Sequence, residues 1–201
     1  TETNMNTSNP YDGERRAGTV GFPLPGVEVK VTNPTTGETL PNGEIGILEV
    51  RGDNVFQGYW QMPKKTSEEL RKDGFFITGD IGVIDADGYV QIVGRNKDLI
   101  ISGGFNIYPK EIEEVIDAQD GVLESAVIGV PHPDFGETPV GILVAKAGAT
   151  PNLRTISIHL NDKLARFKHP RKLILMEALP RNTMGKVQKN LLRDEFKNLF
   201  S

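Results

Sequence analysis

Between Gly21 and Gly94 apolar residues recur with a period of two. Val27-Glu28-Val29-Lys30-Val31 alternates strictly, "NPTTGE" follows as a turn, and residues 45–50 give another strand. Residues 85–88, "DADG", separate Val83-Ile84 from Val90-Gln91-Ile92-Val93 as a hairpin. Period two puts one strand face in a core and the other in solvent, so this half is predicted to be a small antiparallel β-barrel or sheet.

After Gly94 the period changes. Pro109 opens a predicted helix whose Ile112, Val115 and Ile116 share one face and which ends near Gly121; residues 122–130 and 140–144 then read as strands. Leu153, Ile156, Leu160, Leu164 and Phe167 mark a second amphipathic helix, residues 173–176 a short strand, and Leu191, Leu192, Phe196 and Leu199 a closing helix. The expected fold class is α+β: the β-rich part, then an α+β domain with a mainly antiparallel sheet and flanking helices. The two patterns meet at "GRNKD", residues 94–98, a charged segment that reads either as a solvated loop or as a hinge.

Composition narrows the classes. With 37% hydrophobic and 25% charged residues, the 201-residue chain has the make-up of a globular protein. Its net charge of −4 offers no field to recruit nucleic acid or an anionic membrane, so a phosphate site must be local. The absence of cysteine excludes disulfides, a thiolate nucleophile and a Cys-type zinc site, and agrees with a reducing compartment; the expected localisation is cytoplasmic, with an organelle left open. No apolar run approaches the ~18 residues that span a bilayer, and no signal peptide stands at the start. The chain opens "TETNMNTSNP", a polar segment without methionine, and is expected to be a piece of a longer protein.

Three stretches carry candidate chemistry. "FFITGD" places Asp80 behind a glycine at the end of an apolar strand, where it serves either as a local turn acceptor or as the carboxylate that accepts from two ribose hydroxyls. "GRNKDLIISGGFNIYP" supplies Arg95 and Lys97, then Ser102-Gly103-Gly104, whose paired glycines suit either a plain hairpin turn or close approach of a narrow ligand. "RNTMGKVQK" holds Lys186 directly behind Gly185, as a solvated cation or as a long-stemmed charge aimed at phosphate or carboxylate oxygens. There is no GxxxxGK[ST] loop. His132, His159 and His169 lack metal-ligand spacing, and no Ser-His-Asp or paired-carboxylate arrangement is present.

The order of the stretches is more specific than any one of them. "GEIGILEVRGDNVFQGYW", "DGFFITGD", "GYVQIVGRNKDLIISGGFNIYPKEIEEVI", "VIGVPHPDFGE" and "LPRNTMGKVQK" together resemble the carboxyl-terminal part of adenylate-forming enzymes, the acyl-CoA synthetase and adenylation-domain superfamily. The resemblance runs along nearly the whole chain and implies a two-step reaction: a carboxylic acid and MgATP give an acyl-adenylate and pyrophosphate, and a thiol, commonly that of coenzyme A, displaces AMP. It implies a boundary between residues 1–94, the end of a large adenylation domain, and residues 95–201, a mobile domain hinged near Lys97.

Roles follow by position. Thr1 resembles the threonine that touches the AMP phosphate, and Glu2 the glutamate that helps hold Mg²⁺. Asp80 resembles the ribose-binding aspartate and Arg95 the arginine supporting the same ribose. Lys97 falls on the hinge position, Ser102, Gly103 and Gly104 on the loop lining the pantetheine tunnel, and Lys186 on the lysine of the adenylation step. A fixed ammonium there stabilises charge growing on phosphate oxygens more than it stabilises the ground state. Some relatives carry a lysine six residues after the ribose arginine; Ile101 stands there, so chemistry depending on that lysine is not expected.

"TETNMNTSNPYDGERRAG" and "LPRNTMGKVQKNLLRDEF" are most similar to malonyl-CoA synthetases, which activate a short dicarboxylate. The expected substrates are therefore a small carboxylic acid, ATP and coenzyme A, without a nucleic-acid or membrane partner, and the 201 residues alone are expected to be inactive. The resemblance also implies a lysine acetyltransferase and deacetylase acting on Lys186, since acylation removes its charge. Two other readings stay open: an adenylation enzyme that loads a carrier protein, and a non-catalytic module of the same fold.

Overall fold

The computed structural model describes residues 1–200. The chain divides into two compact units, Thr1–Lys97 and Asp98–Ser201. Among the described residues no helix is long and apolar enough to cross a membrane.

The first unit is built on an antiparallel meander, β3 (Val27–Thr32), β4 (Gly46–Gly52), β5 (Phe76–Ile84) and β6 (Val90–Arg95), with each strand paired to the next. A two-stranded ribbon of β1 (Thr7–Ser8) and β2 (Phe22–Pro23) accompanies it. Of the expected barrel or sheet, the strand order gives a sheet. Val31, Leu48 and Val90 form its apolar centre, and β4 is buried on both faces, Glu49 included. That carboxylate is tolerated because Arg71 donates to it through Nε at 2.7 Å and Nη2 at 2.5 Å, the Thr32 hydroxyl donates at 2.8 Å, and the Lys30 ammonium lies 3.5 Å away. α1 (Pro63–Glu69), a short helix with proline in its first turn, has no buried residue and so leaves no apolar periodicity in the sequence.

The second unit is the α+β domain. Its five-stranded sheet contains β7 (Ile100–Ser102), β8 (Phe105–Ile107), β9 (Val122–His132), β10 (Gly136–Ala145) and β11 (Lys172–Met176). Every pairing is antiparallel except β10 with β11. Side chains alternate across the sheet, so the long apolar runs of β9 and β10 feed two cores. Val127 and Leu143 point to one face, where they meet Ile112 and Ile116 of α2 (Pro109–Asp117) and Ile156 and Leu160 of α3 (Leu153–Lys163). Ala126, Ile128, Val140 and Ile142 point to the other, against Leu192 of α4 (Lys189–Phe196). Burying each such Ile or Leu contributes about 1.5–3 kcal/mol.

Asn152 caps α3, its side chain accepting from the backbone N–H groups of Arg154 and Thr155. The predicted continuation through Leu164 and Phe167 does not occur: Leu164 is extended, and the chain enters a 3₁₀ turn (Arg166–Lys168) before Pro170. Pro170 disfavours helical geometry at His169, which is extended, so no helix resumes after the turn.

Candidate active site

In the first unit, Asp80 lies on β5 opposite Arg95, the last residue of β6. The Arg95 Nε donates to the Asp80 Oδ1 at 2.9 Å, with the carboxylate side chain 24% exposed and the guanidinium 54% exposed. The Asp80 backbone N–H donates to the Thr78 hydroxyl, which in turn donates to the Leu48 carbonyl, so the residue is fixed to β4 as well. Burial pushes the Asp80 carboxyl up from its ordinary pKa, and the Arg95 charge opposes that rise. A cavity of about 50 Å³ opens beside it, lined by Asn6, Thr7, Thr78 and Val90 among others.

Thr1 is exposed, and Glu2 is half-buried. The Glu2 carbonyl accepts from the Phe56 backbone at 2.8 Å; its carboxylate lies 3.3 Å from the Tyr59 hydroxyl, which donates to Glu69 at 2.5 Å. A hydrogen bond from its own backbone N–H, helped by Tyr59, holds the Glu2 carboxyl below the usual range. Among the described residues, no group of three or more His, Cys, Asp or Glu side chains could hold a metal by itself. Mg²⁺ keeps most of its waters and takes one or two carboxylates plus substrate phosphates, and a single half-buried carboxylate at Glu2 fits that donor set. Lys97 is exposed in a 3₁₀ turn (Asn96–Asp98).

In the second unit, Gly103 and Gly104 form the two-residue turn of the β7–β8 hairpin, with Ser102 paired to Phe105. Their φ values of +55° and +84° lie in the left-handed region that favours glycine. The hairpin-turn alternative is the one seen, and Ser102 and Gly103 also border a cavity of about 360 Å³. Its other walls include Phe135, Arg166, Phe167 and Arg171, and Phe105 stacks on Phe167 with ring centroids 4.7 Å apart. Sequence reasoning missed this wall by assigning Phe167 to a helix face. The signal was "RFKHPRK": basic residues around an aromatic, directly before a proline-terminated segment.

Lys186 sits on a tight hairpin closed by the Arg181–Val187 bridge. Leu179 is buried and, with Val187, packs on the core under α4. Gly185 takes φ +77° at the tip. The other basic residues between 179 and 193 are all in ion pairs: Arg181 with Glu124, Lys189 with Glu113 at 2.6 Å, and Arg193 with Asp98. Lys186 is exposed, and among the described residues its ammonium has no hydrogen-bond or ion-pair partner. The histidines are engaged locally, His159 with Gln119 and His169 with the Leu164 carbonyl.

The structure thus brings Asp80 to Arg95, and the Ser102–Gly104 turn to a basic and aromatic cavity. Among the described residues no hydrogen bond joins Glu2 to Asp80 or Arg95.

Known proteins match this chain. The AMP-binding enzyme C-terminal domain matches residues 111–186, and the AMP-binding enzyme family matches residues 1–60. A long-chain-fatty-acid–CoA ligase of Yersinia pestis is 42% identical over 94% of this chain and 33% of its own length. A malonate–CoA ligase of Arabidopsis thaliana is 39% identical over 98% of this chain and 34% of its own. The ATP-bound crystal structure of MatB from Rhodopseudomonas palustris is 60% identical, superposes with a TM-score of 0.93, and is covered over 40% of its length by the whole of this chain. The chain therefore spans between a third and two fifths of the proteins it matches. Two family matches, curated acyl-CoA ligases and solved structures converge on one assignment: this chain belongs to the AMP-binding, adenylate-forming enzyme superfamily.

Proposed function

We propose that the whole protein is an AMP-forming carboxylic acid–CoA ligase acting on malonate or a similar short acid. In the first step an oxygen of the acid attacks the α-phosphate of ATP and the bond to pyrophosphate breaks. In the second, the thiol of coenzyme A loses its proton and attacks the acyl carbon, and AMP leaves.

The observation that carries this reading is the unneutralised Lys186 beside cations that all have acidic partners. A lone ammonium on a fixed loop suits the stabilisation of charge developing on phosphate oxygens, and a preorganised donor of this kind is worth roughly 3–4 kcal/mol of transition-state stabilisation. The Asp80–Arg95 pair supplies a rigid acceptor for vicinal ribose hydroxyls. Thr1 and Glu2 serve the phosphate and Mg²⁺, whose part when bound is to neutralise charge on the triphosphate. The cavity at Ser102 and Gly103, next to Gly104, suits coenzyme A, with the Arg166 and Arg171 guanidinium groups available to its phosphates.

Residues 1–94 then belong to the nucleotide-binding domain and residues 95–201 to the mobile one, with Lys97 as the pivot. Exposed Lys186 is also where an acetyltransferase and deacetylase would switch the charge off and on. ATP supports this reading through the ATP-bound MatB match, and malonate through the Arabidopsis malonate–CoA ligase match. Long-chain ligases match at comparable identity, so the test must include their substrates. In ATP–pyrophosphate exchange with the full-length protein, malonate is expected to give the strongest signal of a panel that includes long-chain and aromatic acids. Exchange with those acids and none with malonate overturns the substrate assignment, and no exchange with any acid overturns the ligase reading.

A further inference from the structure

The Lys186 loop is held from within by two residues that none of the roles above uses. The Asn182 Oδ1 accepts from two backbone N–H groups, Met184 at 3.0 Å and Lys186 at 2.9 Å. Its backbone N–H donates to the Lys186 carbonyl at 3.0 Å, and its carbonyl accepts from Gly185 at 2.9 Å. Arg181 donates through Nη1 to the Gly185 carbonyl at 2.6 Å, while its Nη2 is paired with Glu124 of β9. At the base of the loop the Gln188 N–H donates to the Pro180 carbonyl at 2.8 Å.

We propose that Asn182 and Arg181 are positioning residues for adenylation: Asn182 locks the backbone of Lys186, and Arg181 ties the loop tip to β9. The inference rests on the proposed role of Lys186. Apart from the Arg181–Glu124 pair, these side-chain hydrogen bonds go to the loop's own backbone, and the lysine stem is left to reach. A fixed Cα confines the ammonium to a small volume, so little freedom remains to be lost when it meets phosphate. The chemistry selects asparagine: its side chain is long enough to accept from amides two and four residues ahead, and aspartate shares that reach whereas alanine has no acceptor. Arg181 has a compatible second duty, because its guanidinium carries donors enough to serve a carbonyl and a carboxylate together.

The test uses the full-length protein with the two half-reactions assayed separately. Asn182→Ala is expected to lower the kcat of ATP–pyrophosphate exchange on the order of ten- to a hundred-fold, the scale set by an ångström of misplacement. The KM for ATP and the conversion of supplied acyl-adenylate to thioester should stay near wild type. Asn182→Asp should recover most of the exchange rate, and Arg181→Met should show the same pattern as Asn182→Ala in weaker form. Amide hydrogen exchange gives a readout free of catalysis, since the Met184 and Lys186 N–H groups should lose protection in Asn182→Ala ahead of their neighbours in α4. Equal loss of both half-reactions, or unchanged exchange in both Asn182→Ala and Arg181→Met, overturns the proposal. Lys186→Ala separates the two failures. If it abolishes exchange while the loop variants do not, only the positioning idea fails; if it leaves exchange intact, the role of Lys186 fails and the positioning role falls with it.

Discussion

Asp80 and Arg95 are direct partners across the β5–β6 ladder, joined by a 2.9 Å hydrogen bond from Nε to Oδ1. The net effect of burial against that charge is an Asp80 carboxyl raised above the ordinary aspartate value of 3.8. A carboxyl with a higher pKa folded than unfolded binds protons more readily in the folded state. Its contribution to stability is therefore greatest below the unfolded pKa and is lost as pH rises through the folded one. Arg95→Met removes the opposing charge, so it should raise the Asp80 pKa further and cost more stability near neutrality than in acid. A carbon-13 titration of the Asp80 carboxyl in both proteins checks this, and a lower pKa in the variant would contradict it.

Glu49 is a fully buried carboxylate paired with Arg71 and Lys30 and hydrogen-bonded by the Thr32 hydroxyl. Arg71→Met leaves that charge undercompensated. The expected loss is about 3 kcal/mol, the low end of the range for breaking a buried pair, because Lys30 and Thr32 remain. Replacing both partners by apolar residues of similar volume, Glu49→Leu with Arg71→Met, should recover much of that loss, since no stranded charge is left. Urea unfolding of the single and double variants decides it: a double variant as unstable as the sum of its parts would place the cost in packing rather than in charge.

The elements with the longest periodic signal are legible in the sequence. Val27 to Val31 alternates and forms β3, and Ile112 with Ile116 fixes the buried face of α2. Helix ends were harder to read. Leu164 and Phe167 continue the α3 spacing in sequence, but Leu164 is already extended and Phe167 lies in a 3₁₀ turn, stacked on Phe105. Leu191 and Leu192 looked equivalent as apolar residues, yet Leu192 is fully buried and Leu191 is 44% exposed, a difference only the orientation of α4 on the sheet decides. For Glu49, strand periodicity cannot show that Arg71, from beyond α1, closes over it. At the candidate site, Asp80, Arg95 and Lys186 stood out through motif order. The loop bonds of Asn182 and the cavity wall of Arg166 and Arg171 did not, since each depends on which backbone atoms the folded chain brings near.

Gly185 separates backbone geometry from space at the Lys186 loop. It takes φ +77°, and a Cβ built there meets nothing within 4 Å. Gly185→Ala therefore costs backbone strain alone, roughly 1–2 kcal/mol for an L-residue in the left-handed region. Gly185→Asn should cost less, because asparagine visits that region more readily. Gly21 is the contrasting case: its φ is also positive, but a Cβ would lie 2.1 Å from the Ser8 backbone, so Gly21→Ala should prevent β1 and β2 from pairing as they do. Thermal unfolding of the three variants is expected to rank Gly185→Asn as the mildest and Gly21→Ala as the most damaging. Strain at Gly185 falls on the peptide that leads into Lys186, so Gly185→Ala should also lower ATP–pyrophosphate exchange in the full-length protein more than its small stability loss accounts for. A variant that loses stability but keeps full exchange would mean that Lys186 reaches its target without a fixed loop.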